Sequence, residues 1–462
     1  MGRNRKNRIQ HLFAKQNKLS SCSMHWSEYV STYSYYEEET RVTLVSRKSR
    51  DLETIFEKYL LHGSYCPAIK IPDHLTILLL TWEYPPHLIG GLAKHVHGLS
   101  LGLQKLGYTV YVITANPGEL IDEEMLEGVR IYRVRSYNES SQDFFNWVAG
   151  LNAAIAEKAL QLAQKHSFSV IHAHDWLVGK SAKFIKSSLK LPLISTVHST
   201  EHGRNNGIFT ELQSFIYEEE RQLVMKSDHL IVCSEYMNVE LVQIFKANAK
   251  KIAIIPNGVE EGLSLALKKD VLSSMPLHRE KRLIFSIGRI VKEKGFDTLI
   301  EAAYLMKDRF PDVYFIVAGA GPMLEEYRRR VIQLHLNNLF FVGFIPEETK
   351  IALYKLCTLA VFPSRYEPFG IVALEAMQHG KPIIVSKTGG LKSIVQHGLT
   401  GLLMEPGDAL NMIKLAELIL ENEFEAQRLG LNGKAMVEEN FSWQRIAEDT
   451  IRVYEETLKV IG

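Results

Sequence analysis

Several short stretches of this chain place charged or imidazole side chains at the ends of apolar runs, where they could act on a ligand. In Ser286-Ile287-Gly288-Arg289-Ile290-Val291-Lys292-Glu293-Lys294-Gly295, Arg289 and Lys294 follow a run of strand length. A planar guanidinium fork beside a compact ammonium suits a diphosphate. Arg365-Tyr366-Glu367-Pro368-Phe369-Gly370-Ile371-Val372-Ala373-Leu374-Glu375 carries two carboxylates eight positions apart. Pro368 predicts a helix start, which leaves the amides of Phe369, Gly370 and Ile371 free to donate. A fully helical path would hold Glu367 and Glu375 about 12 Å apart. A glycosidase pair needs roughly 5–9.5 Å. Two points along one extended ligand therefore fit better than a hydrolytic dyad.

Histidines mark two further run ends, His172-Ala173-His174-Asp175-Trp176 and Val197-His198-Ser199-Thr200. A histidine at the carboxyl end of a parallel strand lies where open α/β folds bind ligands. His172 and His174, two apart on a strand, face one way and could share a metal. That is the basis of a rival reading as a metal-dependent hydrolase, but no further cluster with ligand spacing completes the shell. No metal is therefore expected, and Asp175 is read as a polar group in the ligand cleft. Gly90-Gly91 stands between a strand-like run and a helical pattern, so its amides suit a phosphate. Gly319-Ala320-Gly321 invites a nicotinamide-cofactor reading, but Leu324 stands where that fingerprint needs its third glycine. An oxidoreductase is not expected.

The elements that must position these groups are legible from Leu75 onward. Apolar runs at Leu75–Leu80, Val110–Thr114, Val170–Ala173, Leu193–Val197, Leu230–Cys233 and Ile252–Ile255 alternate with helical periodicity. After Gly91, for example, Leu92, Val96, Leu99, Leu103 and Leu106 form one stripe, and Gly107 stops it. A second series runs through Leu283–Ile287, Tyr314–Ala318, Phe340–Phe344, Leu359–Phe362, Ile383–Ser386 and Leu402–Met404. Continuous apolar runs suit parallel strands covered on both faces. Two such series predict an α/β chain of two Rossmann-like doubly wound domains, 74–270 and 281–442, facing one cleft. A helix at 443–462 would cross back to the first domain, and 1–73 forms a small extension whose residues point to no particular role.

The chain has 462 residues, 46% of them hydrophobic, and a net charge of +1. Disorder is excluded. No basic surplus offers a nucleic-acid partner. Four widely spaced cysteines, no secretory apolar segment and no run near the length of a membrane helix together predict a cytoplasmic protein without a membrane span.

The Glu367/Glu375 pair, the Gly288-Arg289 to Lys294-Gly295 loop, His198, the His172 to Trp176 stretch and Gly90-Gly91 resemble those of retaining GT-B glycosyltransferases. Family 4 and its glycogen and starch synthase relatives are the nearest match, over about residues 74–461. The resemblance implies a donor nucleotide held mainly by the second domain and an acceptor by the first. Arg289 and Lys294 would bind the donor diphosphate and stabilise its departure, a task for preplaced cations. Glu367 would lie beside the donor sugar, Phe369, Gly370 and Ile371 would hold its hydroxyls, and Glu375 would reach the ribose. His198 would donate a hydrogen bond to the sugar, and Asp175 would orient acceptor or sugar. Gly90, Gly91 and Gly319 join the donor-binding set, with Phe344 and Ile345 beside the base.

Retention, independence of metal and no cofactor beyond the nucleotide-sugar substrate follow from the resemblance. Leu88-Ile89 stand where bacterial glycogen synthases carry Lys-Thr, which removes one phosphate-binding cation. Thr200-Glu201-His202-Gly203-Arg204-Asn205-Asn206-Gly207 resembles glycogen synthase-like members of family 4. The reading is therefore glucosyl transfer from ADP- or UDP-glucose to an α-1,4-glucan. Another acceptor (a sugar phosphate, a disaccharide-forming sugar or a lipid-linked sugar) is the alternative, and a non-catalytic nucleotide-sugar scaffold is the reading from another class.

Overall fold

The computed structural model describes residues 74–88, 90–260 and 281–461. The expectation for residues 1–73 lies outside the described residues. Those described divide into two compact units, one of 74–258 with 441–461 and one of 259–440.

In the first unit the strands are β1 Thr76–Leu80, β2 Thr109–Ala115, β3 Glu123–Leu126, β4 Val129–Val134, β5 Val170–His174, β6 Leu193–Val197, β7 His229–Val232 and β8 Ile252–Ile254. Its helices are α1 Gly91–Lys105, α2 Phe144–Ala163, α3 Gly179–Leu189, α4 Glu201–Asn205, α5 Glu211–Lys226 and α6 Glu235–Phe245. The sheet order is β3-β4-β2-β1-β5-β6-β7-β8. Every neighbouring pair is parallel except β3 with β4. Ile77 to Leu80 are wholly buried because helices cover both faces, which is why the strand reads as an unbroken apolar run. On α1 the stripe Leu92, Val96, Leu99 and Leu103 is buried, and His95 is buried with it.

The second unit has strands β9 Arg282–Ile287, β10 Val313–Ala318, β11 Leu339–Gly343, β12 Leu359–Phe362, β13 Ile383–Ser386 and β14 Leu402–Met404. Its helices are α7 Phe296–Met306, α8 Leu324–Gln333, α9 Glu347–Leu356, α10 Ile371–Gln378, α11 Leu391–Ile394, α12 Ala409–Glu421 and α13 Glu423–Asn440. The wholly parallel order β11-β10-β9-β12-β13-β14 is the doubly wound 3-2-1-4-5-6 pattern. Phe285, Phe296 and Phe315 lie in its core.

Chain order reverses between β1 and β5 in the first sheet and between β9 and β12 in the second. Loops leaving the carboxyl ends of strands at such a reversal frame the crevice where these folds bind ligands. The Gly90, Asp175, Arg289 and Glu367 loops leave those four strands.

The last helix, α14 Trp443–Ile461, belongs to the first unit. A Cβ on Gly98 of α1 would enter the Trp443 indole, so glycine is what lets the two helices meet. Tyr454 of α14 bonds His172 of β5, hydroxyl to Nδ1 at 2.6 Å. Among the described residues, no helix is long and apolar enough to cross a membrane.

The β3–β4 hairpin was absent from the expected elements. Its edge strand β3 is mostly exposed and carries Glu123 and Glu124, so no apolar run announces it. The turn at Glu127-Gly128 takes left-handed φ values of 48° and 85°, a geometry that favours asparagine or aspartate before glycine.

Candidate active site

In the second unit two loops meet. After β9 the chain turns through Gly288 and Arg289 into a short 3₁₀ turn, Lys292–Lys294. After β12 it runs through Ser364 to Gly370 before α10 begins. The N–H groups of Arg365 and Tyr366 both donate to the Glu293 carbonyl, which clamps the loops together. Arg365 adds a bidentate pair with Asp297 of α7, both contacts at 2.7 Å. The clamp brings Lys294 Nζ within 2.6 Å of Glu367 Oε2, and Ser364 Oγ donates to the same oxygen at 3.2 Å. Glu367 is 7% exposed. Arg289 is more open, 3.4 Å from Glu293 Oε1 with its side chain 41% exposed.

The main chain of Glu367 is held from the far side. Gly390 N–H donates to its carbonyl at 2.8 Å. Gly389, at φ +49°, lies so close that a Cβ there would overlap the same oxygen.

One expectation for this stretch is corrected. Pro368 does not start the helix; α10 begins at Ile371, after Gly370 at φ +114°. That left-handed residue breaks the helical path which Pro368 would otherwise have opened, so the helical separation of Glu367 from Glu375 does not apply. The N–H groups of Gly370 and Ile371 have no acceptor among the described residues. Both oxygens of Glu375 are engaged, Oε1 by Lys350 Nζ at 2.7 Å and Oε2 by the Tyr354 hydroxyl at 3.3 Å. Lys350, which the sequence reading passed over, is only 5% exposed and also meets Glu347. Gly319 follows β10, its N–H donating to Gly343 O at 2.8 Å. Beyond β11, Phe344 is 80% exposed while Ile345 is buried.

In the first unit the glycine turn is occupied from within. Glu83, 2% exposed, accepts from Gly90 N–H at 3.1 Å and from Ala93 N–H at 3.2 Å. The anion at this helix N-terminus is the protein's own, so a phosphate reaching Gly90 and Gly91 in this arrangement would face a carboxylate.

Asp175 follows β5 at φ 62°, ψ 172°, a region that only glycine enters cheaply. Two bonds hold it there. Its N–H donates to Thr196 O at 3.0 Å, and its Oδ1 accepts His198 N–H at 2.8 Å. Burial raises its carboxyl to about 6.

Histidines gather beneath. His172 has both nitrogens occupied, by Tyr454 and by Thr196 Oγ1 at 2.7 Å. The His172 and His174 rings do lie side by side, 4.2 Å between centroids. The group with ligand-like convergence is a different one, His95, His174 and His198, each offering a ring nitrogen within 4.8 Å of the others. Burial pushes all three below the usual imidazole range, His198 to about 3. His95 escaped the sequence reading because it sits on an otherwise apolar helix stripe, and nothing in one sequence says that its ring meets those of His174 and His198.

The stretch 200–207 forms the short helix α4, capped by the Thr200 side chain, which accepts Gly203 N–H. Both carboxylate oxygens of Glu220 lie at the Glu201 N–H, and burial lifts the Glu220 carboxyl to about 8.

Two doubly wound sheets, each with its candidate loops at the point of strand reversal, are the architecture of the GT-B glycosyltransferases. Residues 271–436 match the model of glycosyl transferases group 1, and residues 89–262 match that of glycosyltransferase family 4. An uncharacterised glycosyltransferase of Methanocaldococcus jannaschii is 33% identical over 394 residues, 84% of this chain and 100% of that protein. A glycogen synthase of Mycobacterium tuberculosis is 31% identical, over 82% of this chain and 94% of its own. The solved sucrose-phosphate synthase of Thermosynechococcus elongatus superposes with a TM-score of 0.73 at 25% identity, covering 84% of this chain and all of its own. The chain belongs to the family 4 glycosyltransferases of GT-B fold.

Proposed function

We propose that this enzyme moves a glucosyl unit from ADP- or UDP-glucose to an α-1,4-glucan, with retention and without a metal ion. The observation that carries the chemistry is the Lys294–Glu367 contact, which sets a cation and a carboxylate side by side at the carboxyl end of the second sheet. Lys294 and Arg289 meet the charge that builds on the departing diphosphate. Preplaced cations in a site of low polarity favour that charge more than they favour the ground state. Glu367 lies against the donor sugar, the Gly370 and Ile371 amides bind its hydroxyls beside Phe369, and Glu375 takes the ribose. Phe344 offers an exposed face to the base, with the Ile345 backbone next to it. In the first unit, His198 donates to the sugar and Asp175 orients the acceptor.

The glucan acceptor is supported by the likeness to a glycogen synthase. The likeness to a sucrose-phosphate synthase favours a second acceptor class, a sugar phosphate, for the same chemistry. Purified full-length chain should be given ADP-, UDP- and GDP-glucose in turn, with maltooligosaccharides or with hexose phosphates, in the presence of EDTA. Release of nucleoside diphosphate together with longer α-linked chains supports the reading. Release with hexose phosphate alone replaces the acceptor, and no release with any pair refutes the activity.

A further inference from the structure

His174 lies wholly buried at the end of β5, and its two ring nitrogens have different fates. Nδ1 is 3.3 Å from His198 Nε2. Nε2 is buried with no partner among the described residues. A neutral imidazole carries one proton, and the hydrogen bond between the rings can run either way. If His198 donated, His174 would have to carry its own proton on Nε2, leaving a buried N–H with nothing to bond. Orphaned buried N–H groups are rarer than under-used acceptors. With the proton on His174 Nδ1, only a lone pair is stranded.

His95 follows the same rule. Its Nδ1 is 2.6 Å from Asn257 Oδ1, an acceptor, so that nitrogen carries the proton. His95 Nε2, the other buried ring nitrogen of the cluster without a partner, is then a lone pair as well. The His95 ring packs edge-on against His198, 4.7 Å between centroids. The three ring nitrogens lie within 4.8 Å of one another, and the His174–His198 pair is within hydrogen-bond reach at 3.3 Å.

We propose that His174 is a positioning residue whose Nδ1–H donates to His198 Nε2, so that His198 carries its proton on Nδ1 and presents a donor to the ligand. No described residue takes up His198 Nδ1, and the His198 side chain is partly exposed. The ligand group it meets is an acceptor oxygen of the hexosyl unit. This inference rests on the reading of His198 as a sugar contact, but the protonation pattern stands or falls without it.

The test uses the full chain with nitrogen-15 in its histidines and long-range proton–nitrogen correlation. His198 and His174 should both carry the proton on Nδ1. A His198 protonated on Nε2 overturns the proposal, as does a shift of the His174 and His198 nitrogens together on adding one equivalent of zinc. His174→Asn keeps an amide donor near the Nδ1 position and should preserve both the His198 pattern and turnover. His174→Leu should release His198 to the Nε2–H form and lower kcat on the order of tenfold to a hundredfold with little change in KM, the scale on which supporting partners of a functional histidine act. Equal kinetics of the Leu and Asn variants would also overturn it. If no variant or parent shows turnover, the proposed activity fails while the spectra still decide the proton positions.

Discussion

Lys294 and Glu367 lie 73 positions apart in the chain, yet their side chains are in hydrogen-bond contact at 2.6 Å. Each comes from a loop that leaves a central strand of the second sheet, and the Glu293 carbonyl ties the two loops at their main chains. The contact gives the carboxylate a fixed direction and the ammonium a fixed height above the sheet.

Lys294→Met is expected to reduce turnover on the order of 10²–10³-fold, the cost of losing one donor to transition-state charge. Arg289→Ala should fall in the same range. Because Lys294 and Glu367 touch, the double variant Lys294→Met/Glu367→Gln should lose less than the two single losses combined. Steady-state kinetics on the parent, the two single variants and the double variant decides it, with Arg289→Ala measured beside them, and additive losses would uncouple the pair.

Glu220 predicts a pH dependence of stability. Its folded carboxyl lies at about 8, above the ordinary 4.5. Below the lower value both states are protonated and nothing is lost. Between the two, the unfolded chain ionises while the folded one does not, so stability falls as pH rises, by at most ~1.4 kcal/mol per unit. Above about 8 the loss levels off. Asp175 adds the same trend over a narrower window, from 3.8 to about 6. Urea midpoints at pH 5 and pH 8 should separate widely for the parent and less for Glu220→Gln. Parallel shifts in both proteins would contradict the assignment.

What the sequence made legible depended on burial acting alike on a whole run. Parallel strands such as β1 and β12 read as unbroken apolar segments because both their faces are covered. Lys350 shows the opposite case. On α9 it looks like an ordinary helix lysine, and only the pairing of Glu375 from α10 with Glu347 from its own helix explains its burial. His95 and Asn257 are 162 positions apart, and no local pattern links them. Pro368 carried a true local signal for a helix start, which the left-handed Gly370 two residues later overrode.

Gly389→Ala is expected to cost about 1–3 kcal/mol and to reduce turnover, since the added methyl meets the Glu367 carbonyl oxygen at a left-handed φ. Gly118, with nothing near its would-be Cβ, supplies the control; Gly118→Ala should leave both quantities unchanged. Thermal unfolding and kcat measured side by side make the comparison, and equal behaviour of the two variants would remove the crowding explanation.

Glu83→Ala should strip two N–H groups at the start of α1 of their acceptor, costing about 1–3 kcal/mol. It should also create a dependence that the parent lacks. Sulfate added to the variant should raise its melting temperature more than the parent's, because the helix end then needs an outside anion. Identical sulfate responses would show that the carboxylate was not filling that role.

The return of α14 to the first unit has a consequence for how the protein is made. As the chain leaves the ribosome, residues 259–440 emerge with every strand of their own sheet and can close at once. The earlier unit must wait, because Tyr454 and Trp443, which cover His172 and the Gly98 face of α1, are translated after all of that. The half synthesised first is thus the half completed last. Until then it displays an apolar helix face to the cell, and stalling or truncation beyond residue 440 would leave one finished unit tethered to an unfinished one.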